Sequence, residues 1–393
     1  MIKRPAPIPV GGDNPFADNT LQVRVPDILR EIQRLNPDYP ASIQGDLDEL
    51  IRAMEQKKTI PLIDRFPAPD YDDWAAALHA EEQIFQPHTW FNCEWFFAET
   101  YAYRCVMQAV RWFESGRDPF APKKSAELAG EQLWALLDDA LKMDGSPREN
   151  VERMLACALW GNRIDLSYAA SMERGATNIG ADDLLADDRP HILQQLSEDA
   201  SSLRAGVVHI IADNSGSELA MDLALIDALL KGGVSQVILH VKAHPTFVSD
   251  AIPADIWSLI NAMEEHSITA QRLAVRLNEA WLKRHFVIAS DFFWNSRHFI
   301  WKMPPSLANA ISGALLVIVK GDANYRRLIG DALWPADTPF PHVMQGFPAP
   351  IVAMRTLKSD PVVGLQPGTA KQLDAIDPEW RVNGQRGVIQ FAG

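Results

Sequence analysis

The chain has 393 residues, 47% hydrophobic and 22% charged, a composition typical of a folded globular protein long enough for two domains. Its formal net charge of −14 argues against nucleic acid as the main partner, because binding a phosphate backbone requires a basic surface. A small phosphorylated ligand needs only a few local cations and stays compatible with this charge. No apolar run approaches the ~20 residues of a membrane span, and the start, MIKRPAPIPVGGDNP, has no apolar segment typical of a secretory signal.

The three cysteines, Cys93, Cys105 and Cys157, match no zinc or redox spacing. We therefore predict buried thiols in a reducing compartment and a cytoplasmic protein, with a catalytic cysteine as the minor alternative. The predicted partner is a small phosphorylated metabolite rather than a membrane or a nucleic acid, and the chain is expected to be a monomer or a weak homo-oligomer.

The N-terminal half has the apolar periodicity of helices. Residues 1 to about 20, rich in Pro, Gly and Asp, are predicted to form an extended arm, and residues 21–185 a helical domain. The predicted helices are Leu21–Leu35, Gly45–Gln56, Tyr71–Phe85, Trp90–Phe113, Ser125–Met143 and Ser146–Leu159, with Pro190–Leu203 following the proposed boundary.

The predicted helix Trp90–Phe113 is apolar on nearly every face, which indicates a buried central helix. Its Glu94, Glu99 and Arg104 would be costly to bury unless they are paired or used. They could form internal ion pairs, or one of them could reach a ligand cleft. Downstream of Gly161, Asn162 and Asp165 could likewise cap a helix end or enter a cleft.

From Gly206 onward, short apolar strands alternate with helices, which predicts a mostly parallel sheet covered on both faces, in a domain that we assign to residues 186–393. The expected fold class is α/β, with the helical domain packed on a three-layer α/β/α domain. The predicted strands are Val207–Ala212, Gln236–Val241, His285–Ala289, Ala314–Val319 and Ile351–Met354.

The turn after the first of these strands carries Asp213 and Asn214. Ser215 to Glu218 has the spacing of a capping box and predicts the start of a helix. Ligands of open α/β sheets bind at such turns, and carboxylate and amide oxygens are ligands that magnesium or manganese prefers. Asp213 and Asn214 could also do no more than cap the helix.

Charged side chains follow every predicted strand, so they should share the carboxyl edge of the sheet. Acids and cations together at one edge indicate a divalent metal and a phosphate, the arrangement of metal-assisted phosphoryl chemistry, although a solvated face could also be charged. These residues are Asp213, Asn214, Asp250, Asp291, Lys320, Asp322, Arg326, Arg355 and Lys358.

Other chemistries find less support in the sequence. No G-x-G-x-x-G or G-x-x-x-x-G-K-[ST] follows a strand, no G-x-S-x-G is present, and the ten histidines form no zinc pattern. His209 and His240 lie within strands and are predicted core residues. His244 and His298 lie in loops and could border the site.

Five motifs in order resemble the damage-control phosphatase family, first catalogued as a domain of unknown function and also labelled acidic-residue methyltransferase-like. The resemblance extends from near Trp90 to about Gly368, and Arg355-Thr356-Leu357-Lys358 matches the R-T-x-K signature of the sugar-phosphate subfamily. The motifs are LWGNRIDLS, DNSGSELAMDLAL, PTFVSD, LLVIVKGDANYRRLIGD and AMRTLKSD.

The resemblance implies a helical domain on an α/β/α domain, and a metal, commonly Mn²⁺ or Ni²⁺, with Co²⁺ or Mg²⁺ as other candidates. Its implied metal ligands are Asp213, Asn214 and Asp250, and these three with Lys358 form the expected catalytic set. The expected substrate-binding residues are Asp322, Ala323, Asn324, Tyr325, Arg326, Arg355, Lys358, Glu99 and Asn162.

The leading hypothesis is a metal-dependent phosphomonoesterase that hydrolyses small sugar phosphates, such as fructose 1-phosphate or fructose 6-phosphate, in metabolite damage control. The attacking group could be water or Asp213. Two alternatives stay open: an S-adenosylmethionine-dependent carboxyl methyltransferase, which the absence of a glycine-rich cofactor loop disfavours, and a non-catalytic sugar-phosphate sensor.

Overall fold

The computed structural model describes residues 2–65, 69–142, 145–161, 183–199 and 202–393. Its N-terminal half is helical, apart from one short two-stranded ribbon. The elements are β1 (Pro9–Val10), α1 (Pro15–Asn19), a π-helical turn (Thr20–Arg24), α2 (Val25–Leu35), α3 (Ala41–Glu55), α4 (Tyr71–Ile84), β2 (Cys93–Glu94), α5 (Trp95–Ala109), α6 (Trp112–Ser115), α7 (Ala121–Leu128), α8 (Glu131–Ala140) and α9 (Pro147–Trp160).

The C-terminal half alternates strands and helices. It contains β3 (Leu184–Asp187), α10 (Arg189–Leu196), β4 (Val207–Ile211), α11 (Ser217–Gly232), β5 (Gln236–Lys242), α12 (Pro253–Glu264), α13 (Ile268–Leu282), β6 (Phe286–Asp291), α14 (Pro305–Ile311), β7 (Leu316–Lys320), α15 (Asp322–Ile329), α16 (Phe340–Val343), β8 (Ile351–Thr356), α17 (Thr369–Ile376) and β9 (Gly387–Ala392). Two 3₁₀ turns, Phe292–Trp294 and Ile300–Lys302, lie between β6 and α14.

Seven strands form one sheet in the order β3-β9-β8-β7-β4-β5-β6. Every neighbouring pair is parallel except β8 and β9, which are antiparallel. In the centre, Ile211 of β4 lies opposite His240 of β5 and Val319 of β7. The predicted α/β class with a mostly parallel sheet is confirmed, and all five predicted strands are present. Sequence reasoning missed β3 and β9, which share one edge of the sheet.

Helices cover both faces of this sheet. One apolar core joins β4, β5 and β7 to α8 to α13, and a second packs α14 to α17 on the opposite side. A third core holds the arm and α1 to α5 together. Helices α8 and α9 thus pack with the sheet although they precede residue 185, and the predicted boundary at residues 185/186 falls within β3. No helix in the described ranges is long and apolar enough to cross a membrane.

Three local predictions were wrong. The arm is not extended throughout, because Asn14 caps a helix that begins at Pro15. The single helix predicted over Trp90–Phe113 starts at Trp95 and ends at Ala109, because Arg111 adopts a left-handed backbone conformation with φ of 54°. The helix predicted over Ser125–Met143 is likewise divided into α7 and α8, separated by Ala129 and Gly130.

The predicted burial of α5 is confirmed, since every residue in it except Gln108 is buried. Its two charged side chains and that of Glu94, just before it, are all paired: Glu94 with Arg297 at 2.9 Å, Arg104 with Asp70 at 2.7 Å, and Glu99 with Arg326 at 2.5 Å. Internal ion pairs therefore account for their tolerance in an apolar environment.

Candidate active site

A cavity of about 150 Å³ opens at the carboxyl edge of the sheet, beside the central strands β4, β7 and β8. Asp213 follows β4, Asp322 follows β7 and Lys358 follows β8, and all three line this cavity. Asp250 reaches the same cavity from the loop after β5. The predicted clustering of strand-end residues therefore holds for these four, because parallel strands end at one edge.

Asp213, Asn214 and Asp250 form one hydrogen-bonded group. Asn214 Nδ2 donates to Asp213 Oδ2 at 3.0 Å, and Asn214 Oδ1 accepts from Ser249 Oγ at 2.6 Å. The backbones of Asn214 and Asp250 form an isolated antiparallel bridge, and Ala251 N donates to Asp213 O at 2.8 Å. This bridge sets the two turns at a fixed spacing, which brings together residues that lie on separate loops.

The loop that delivers Asp250 has a strained backbone. Phe247 and Val248 adopt positive φ values of 46° and 70°, which is unfavourable for any side chain and most for a β-branched one. Ser249 and Asp250 follow directly and line the cavity. Backbone strain of this kind persists where surrounding contacts over-determine the conformation, often at functional sites.

The environment of Asp213 and Asp250 disfavours the ionised form of both carboxyl groups. Burial, Asp250 and Glu218 raise the pKa of Asp213 well above its usual range. Burial likewise raises the pKa of Asp250 to about 6, although Lys242 opposes this shift from 3.3 Å away. Asp250 Oδ2 is buried, and the ion-pair contact with Lys242 Nζ at 3.3 Å is made by this same oxygen. Both acids would hold a proton or a cation more readily than ordinary carboxyl groups.

The chemistry of these donors suits a divalent cation. Two carboxylates and an amide oxygen are hard ligands, and the amide oxygen retains a lone pair beside its hydrogen bond from Ser249. Within the described ranges, no three His, Cys, Asp or Glu side chains lie close enough together to bind a metal ion by themselves. The candidate set thus depends on Asn214 as its third ligand, with Glu218 beside it through a 2.9 Å hydrogen bond to Asn214 Nδ2.

Gly321 makes room for the Asp213 carboxylate. Its φ is +88°, and a Cβ at this position would lie 1.9 Å from Asp213 Cγ. Glycine is the residue that tolerates both the left-handed conformation and the close approach. The turn between β7 and α15 is therefore shaped around Asp213.

Glu218 was interpreted from sequence as the second half of a capping box, and that interpretation was wrong. Helix α11 begins at Ser217, and its N-cap residue is Gly216, which has no side chain that could form the capping hydrogen bond predicted for Ser215. Glu218 instead lines the cavity, where it contacts Asn214 and lies 3.2 Å from Lys320 Nζ. The capping-box spacing led us to overlook Glu218 as a site residue. The signal that could have identified it is its position four residues after Asn214.

Lys320, which sequence reasoning considered for phosphate binding, is buried and lies 2.6 Å from Asp222 as well as 3.2 Å from Glu218. Although burial opposes the shift, these two acids raise the pKa of Lys320. Its charge is therefore committed to neighbouring acids.

Only some residues of the predicted phosphate-binding segment 322–326 line the cavity, because consecutive residues of a helix cannot all face the same side. Asp322, Ala323 and Arg326 line it. Asn324 is buried behind it, where its Nδ2 donates to Ala212 O at 3.0 Å. The Tyr325 hydroxyl donates to Gln390 Oε1 at 2.9 Å, and Tyr325 does not line the cavity.

Arg326 and Glu99 both line the cavity but satisfy each other. Arg326 pairs with Glu99 at 2.5 Å and with Asp331 at 2.7 Å, and its guanidinium lies 3.6 Å from the Trp95 ring centroid. Their charges are thus balanced within the protein. This leaves little net positive charge from Arg326 for a ligand.

Arg355 and Lys358, the two basic residues of the R-T-x-K signature, differ in environment. Arg355 is fully buried, pairs with Asp322 at 2.8 Å and donates to backbone oxygens of Ser359 and Pro361. It holds the loop that carries Lys358. Lys358 is exposed and lines the cavity, and its ammonium has no ion pair among the described residues.

The remaining predicted residues lie elsewhere. Asp291 caps a 3₁₀ turn through Phe293 N and does not line the cavity. His209 and His240 are buried and contact each other at 2.8 Å, as expected of core residues. The three cysteines are buried as predicted, and none lines the cavity. Asn162 and Asp165 lie outside the described residues.

Several cavity residues were not among the predicted site residues, although Phe247 and Ser249 lie in the motif PTFVSD. They come from the N-terminal arm, from α5 and from the loop before Asp250, and they reach the cavity only through tertiary packing. They are Phe16, Arg24, Trp95, Phe247 and Ser249.

Helix α11 is capped by a residue from another helix. Glu127 Oε1 of α7 accepts from both Ser217 N and Ser217 Oγ at 2.8 Å. We expect Glu127→Ala to lower the free energy of unfolding by about 1 kcal/mol, the usual effect of losing an N-cap acceptor. The exposed Glu265→Ala is the matched control. Urea midpoints that coincide for both variants and the native chain would contradict this role for Glu127.

Comparison with known proteins places the chain among catalogued relatives. The profile of the damage-control phosphatase ARMT1-like domain matches residues 20–373. Damage-control phosphatase ARMT1 of Mus musculus is 30% identical over 441 residues, covering 100% of both chains. The rat and human proteins of that name are 31% and 30% identical, each covering 86% of this chain and 83% of the relative.

A solved DUF89 family protein from Pyrococcus horikoshii has a similar fold. It aligns with a TM-score of 0.50 and 16% identity, over 95% of this chain and 99% of that chain. At this identity, the likeness concerns the fold.

Proposed function

Because the chain belongs to the damage-control phosphatase family with the ARMT1-like domain, we propose that it is a metal-dependent phosphatase of small sugar phosphates. Fructose 1-phosphate and fructose 6-phosphate are the proposed substrates. The observation that carries this proposal is one cavity that holds both the buried carboxyl groups of Asp213 and Asp250 and the ammonium of Lys358, which has no ion-pair partner among the described residues.

Asp213, Asn214 and Asp250 would hold the metal, and Glu218 would orient Asn214 through its hydrogen bond. A divalent cation such as Mn²⁺ would supply positive charge to the phosphoryl oxygens and acidify water. Lys242 lies 3.3 Å from Asp250 and donates to Trp294 O, so it holds that carboxylate from behind.

Lys358 would bind the phosphoryl group from the opposite side. Its loop is anchored by Arg355, and Asp322 Oδ1 accepts from Lys358 N at 3.2 Å, which orients the backbone and leaves the ammonium free. A charge-assisted contact to phosphate is among the stronger hydrogen bonds in proteins. The Lys358 ammonium would both anchor the substrate and stabilise charge on the transferring group.

The decisive experiment is phosphate release from a panel of sugar phosphates, first in chelator and then with Mn²⁺, Ni²⁺, Co²⁺ or Mg²⁺ restored. We expect release with a fructose phosphate only when metal is present. Tight binding of fructose phosphates without release under every metal would instead support the sensor alternative. A radiolabelled phosphoryl group found on Asp213 after rapid acid quench of a single turnover would identify Asp213 as the nucleophile.

We expect Lys358→Met to lower kcat/KM for the preferred sugar phosphate by roughly 10- to 100-fold, the range for losing a hydrogen bond to a charged group. The side chain of methionine retains most of the length of lysine but not its charge. The matched control is Lys371→Met, an exposed substitution on helix α17. Steady-state kinetics in which both variants match the native enzyme would exclude Lys358 from substrate binding.

A further inference from the structure

The N-terminal arm, defined here as residues 2–24, contacts both halves of the chain before helix α2 begins. Strand β1 pairs with Cys93–Glu94, just ahead of α5. Ile8 N donates to Asp331 O at 2.9 Å, next to helix α15. The arm therefore contacts the segments that adjoin α5 and α15, the two helices that contribute residues to the cavity on either side of Arg326 and Glu99. Its first part, before residue 20, precedes the segment matched by the family profile.

The arm also reaches the cavity itself. Asn14 Nδ2 donates to Asp360 Oδ2 at 2.9 Å, two residues beyond Lys358. Phe16 packs edge-on against Trp95, with ring centroids 5.7 Å apart, and both rings line the cavity. Because Trp95 in turn lies beneath Arg326, this packing makes the arm one wall of the cavity.

Among the described residues, the cations that line the cavity are Arg24, Arg326 and Lys358. The charge of Arg326 is neutralised by its ion pairs with Glu99 and Asp331. Arg24 is exposed, and in the part of the chain that the structure describes neither Arg24 nor Lys358 has an ion-pair partner. A ligand in the cavity would thus meet two uncommitted positive charges, one from the arm and one from the loop after β8.

Arg24 is the last residue of the π-helical turn Thr20–Arg24. Such turns are rare and often occur at functional sites, where the extra residue redirects a side chain. A guanidinium presents a planar set of donors that matches phosphate oxygens, and a phosphomonoester carries close to two negative charges.

Building on the function proposed above, we propose that Arg24 is a substrate-binding residue that holds the phosphoryl group together with Lys358. The N-terminal arm is then part of the active site, and the substrate class is a phosphomonoester bound as its dianion. The metal-ligand group and Lys358 alone would leave the arm side of that dianion open to solvent.

The test compares Arg24→Gln and Arg24→Lys with Arg34→Gln, a matched control that removes an exposed arginine from helix α2, outside the cavity. With the best fructose phosphate, Arg24→Gln should raise KM about ten-fold while kcat changes less than about two-fold. The Ki of inorganic phosphate as a competitive inhibitor should rise by a similar factor. Arg24→Lys should recover part of both losses, and Arg34→Gln should behave as the native enzyme.

Inorganic phosphate binding, followed by calorimetry in the presence of Mn²⁺, separates this proposal from the phosphatase proposal. Weaker phosphate binding by Arg24→Gln than by Arg34→Gln would support the role of Arg24, even if no sugar phosphate is hydrolysed by the native protein. Equal KM and equal phosphate affinity in the two variants would overturn it and leave a measured phosphatase activity standing. Absence of phosphate binding by the native protein would also overturn it.

Discussion

Asp213→Asn is expected to lower metal-dependent hydrolysis by roughly 10³-fold, about 4 kcal/mol of transition-state stabilisation. The replacement preserves the size of the side chain and an oxygen that can accept from Asn214 Nδ2. It removes the negative charge on which binding of a divalent cation depends. Steady-state assays at saturating Mn²⁺ measure the loss, and metal titration shows whether affinity or turnover accounts for it.

The same variant should be more stable than the native chain when no metal is present. Burial and repulsion from Asp250 and Glu218 disfavour the ionised form of Asp213, which is why its pKa is raised. Removing that charge relieves the repulsion, so Tm in chelator should rise while activity falls. This is the expected trade-off at a site whose charges serve function rather than folding.

Asp291→Asn is the matched control for Asp213→Asn. Asp291 also ends a strand of the sheet, but it lies outside the cavity and accepts from Phe293 N, a bond that asparagine can keep. Its activity should stay within about two-fold of the native value. Activity of Asp213→Asn equal to that of this control would remove Asp213 from the catalytic group.

Gly321→Ala is expected to abolish activity and to destabilise the fold well beyond the cost of its backbone conformation. The new Cβ would lie 1.9 Å from Asp213 Cγ, so either the carboxylate or the turn between β7 and α15 must move. The backbone of Gly321, with φ of +88° and ψ of 170°, lies in a region that residues with a Cβ avoid, which adds about 1–3 kcal/mol. Because the turn also carries Asp322, the displacement would spread to the Lys358 loop.

Gly346→Ala separates these two effects. Its φ of +90° is likewise unfavourable for a residue with a Cβ, but a Cβ there meets nothing within 4 Å. Urea denaturation should show a loss of about 1–2 kcal/mol for Gly346→Ala, with full activity retained. If Gly321→Ala lost no more stability and no more activity than Gly346→Ala, the collision with Asp213 would not matter.

Local patterns were sufficient to predict the framework of the site. Five apolar runs separated by helices predicted the mostly parallel sheet, and the polar residues after each strand predicted the edge where the cavity opens. This succeeds because strand and helix periodicity are properties of a few consecutive residues, and because parallel strands bring their carboxyl ends to one edge. The grouping of Asp213, Asn214 and Asp250 is a consequence of that topology.

Strands β3 and β9 show where local pattern was insufficient. Leu184–Asp187 is short and only half-buried, and Gly387–Ala392 lies between β3 and β8 and runs antiparallel to β8. Neither follows the repeating strand–helix order from which the others were recognised. Strands β3 and β9 pair with each other although they are more than 200 residues apart in the chain. Sequence periodicity contains no information about contacts at that separation.

Only the tertiary structure decided which charges are free to bind a ligand. The sequence by itself determined that cations and acids would meet at the edge of the sheet. Lys320, Arg326 and Arg355 proved to be neutralised within the protein, whereas Lys358 and Arg24 have no ion-pair partner in the described parts of the chain. Arg326 finds Glu99 across 227 positions of sequence. The free energy of a buried charge depends on the partners that the whole fold supplies, so its availability cannot be determined from its neighbours in the chain.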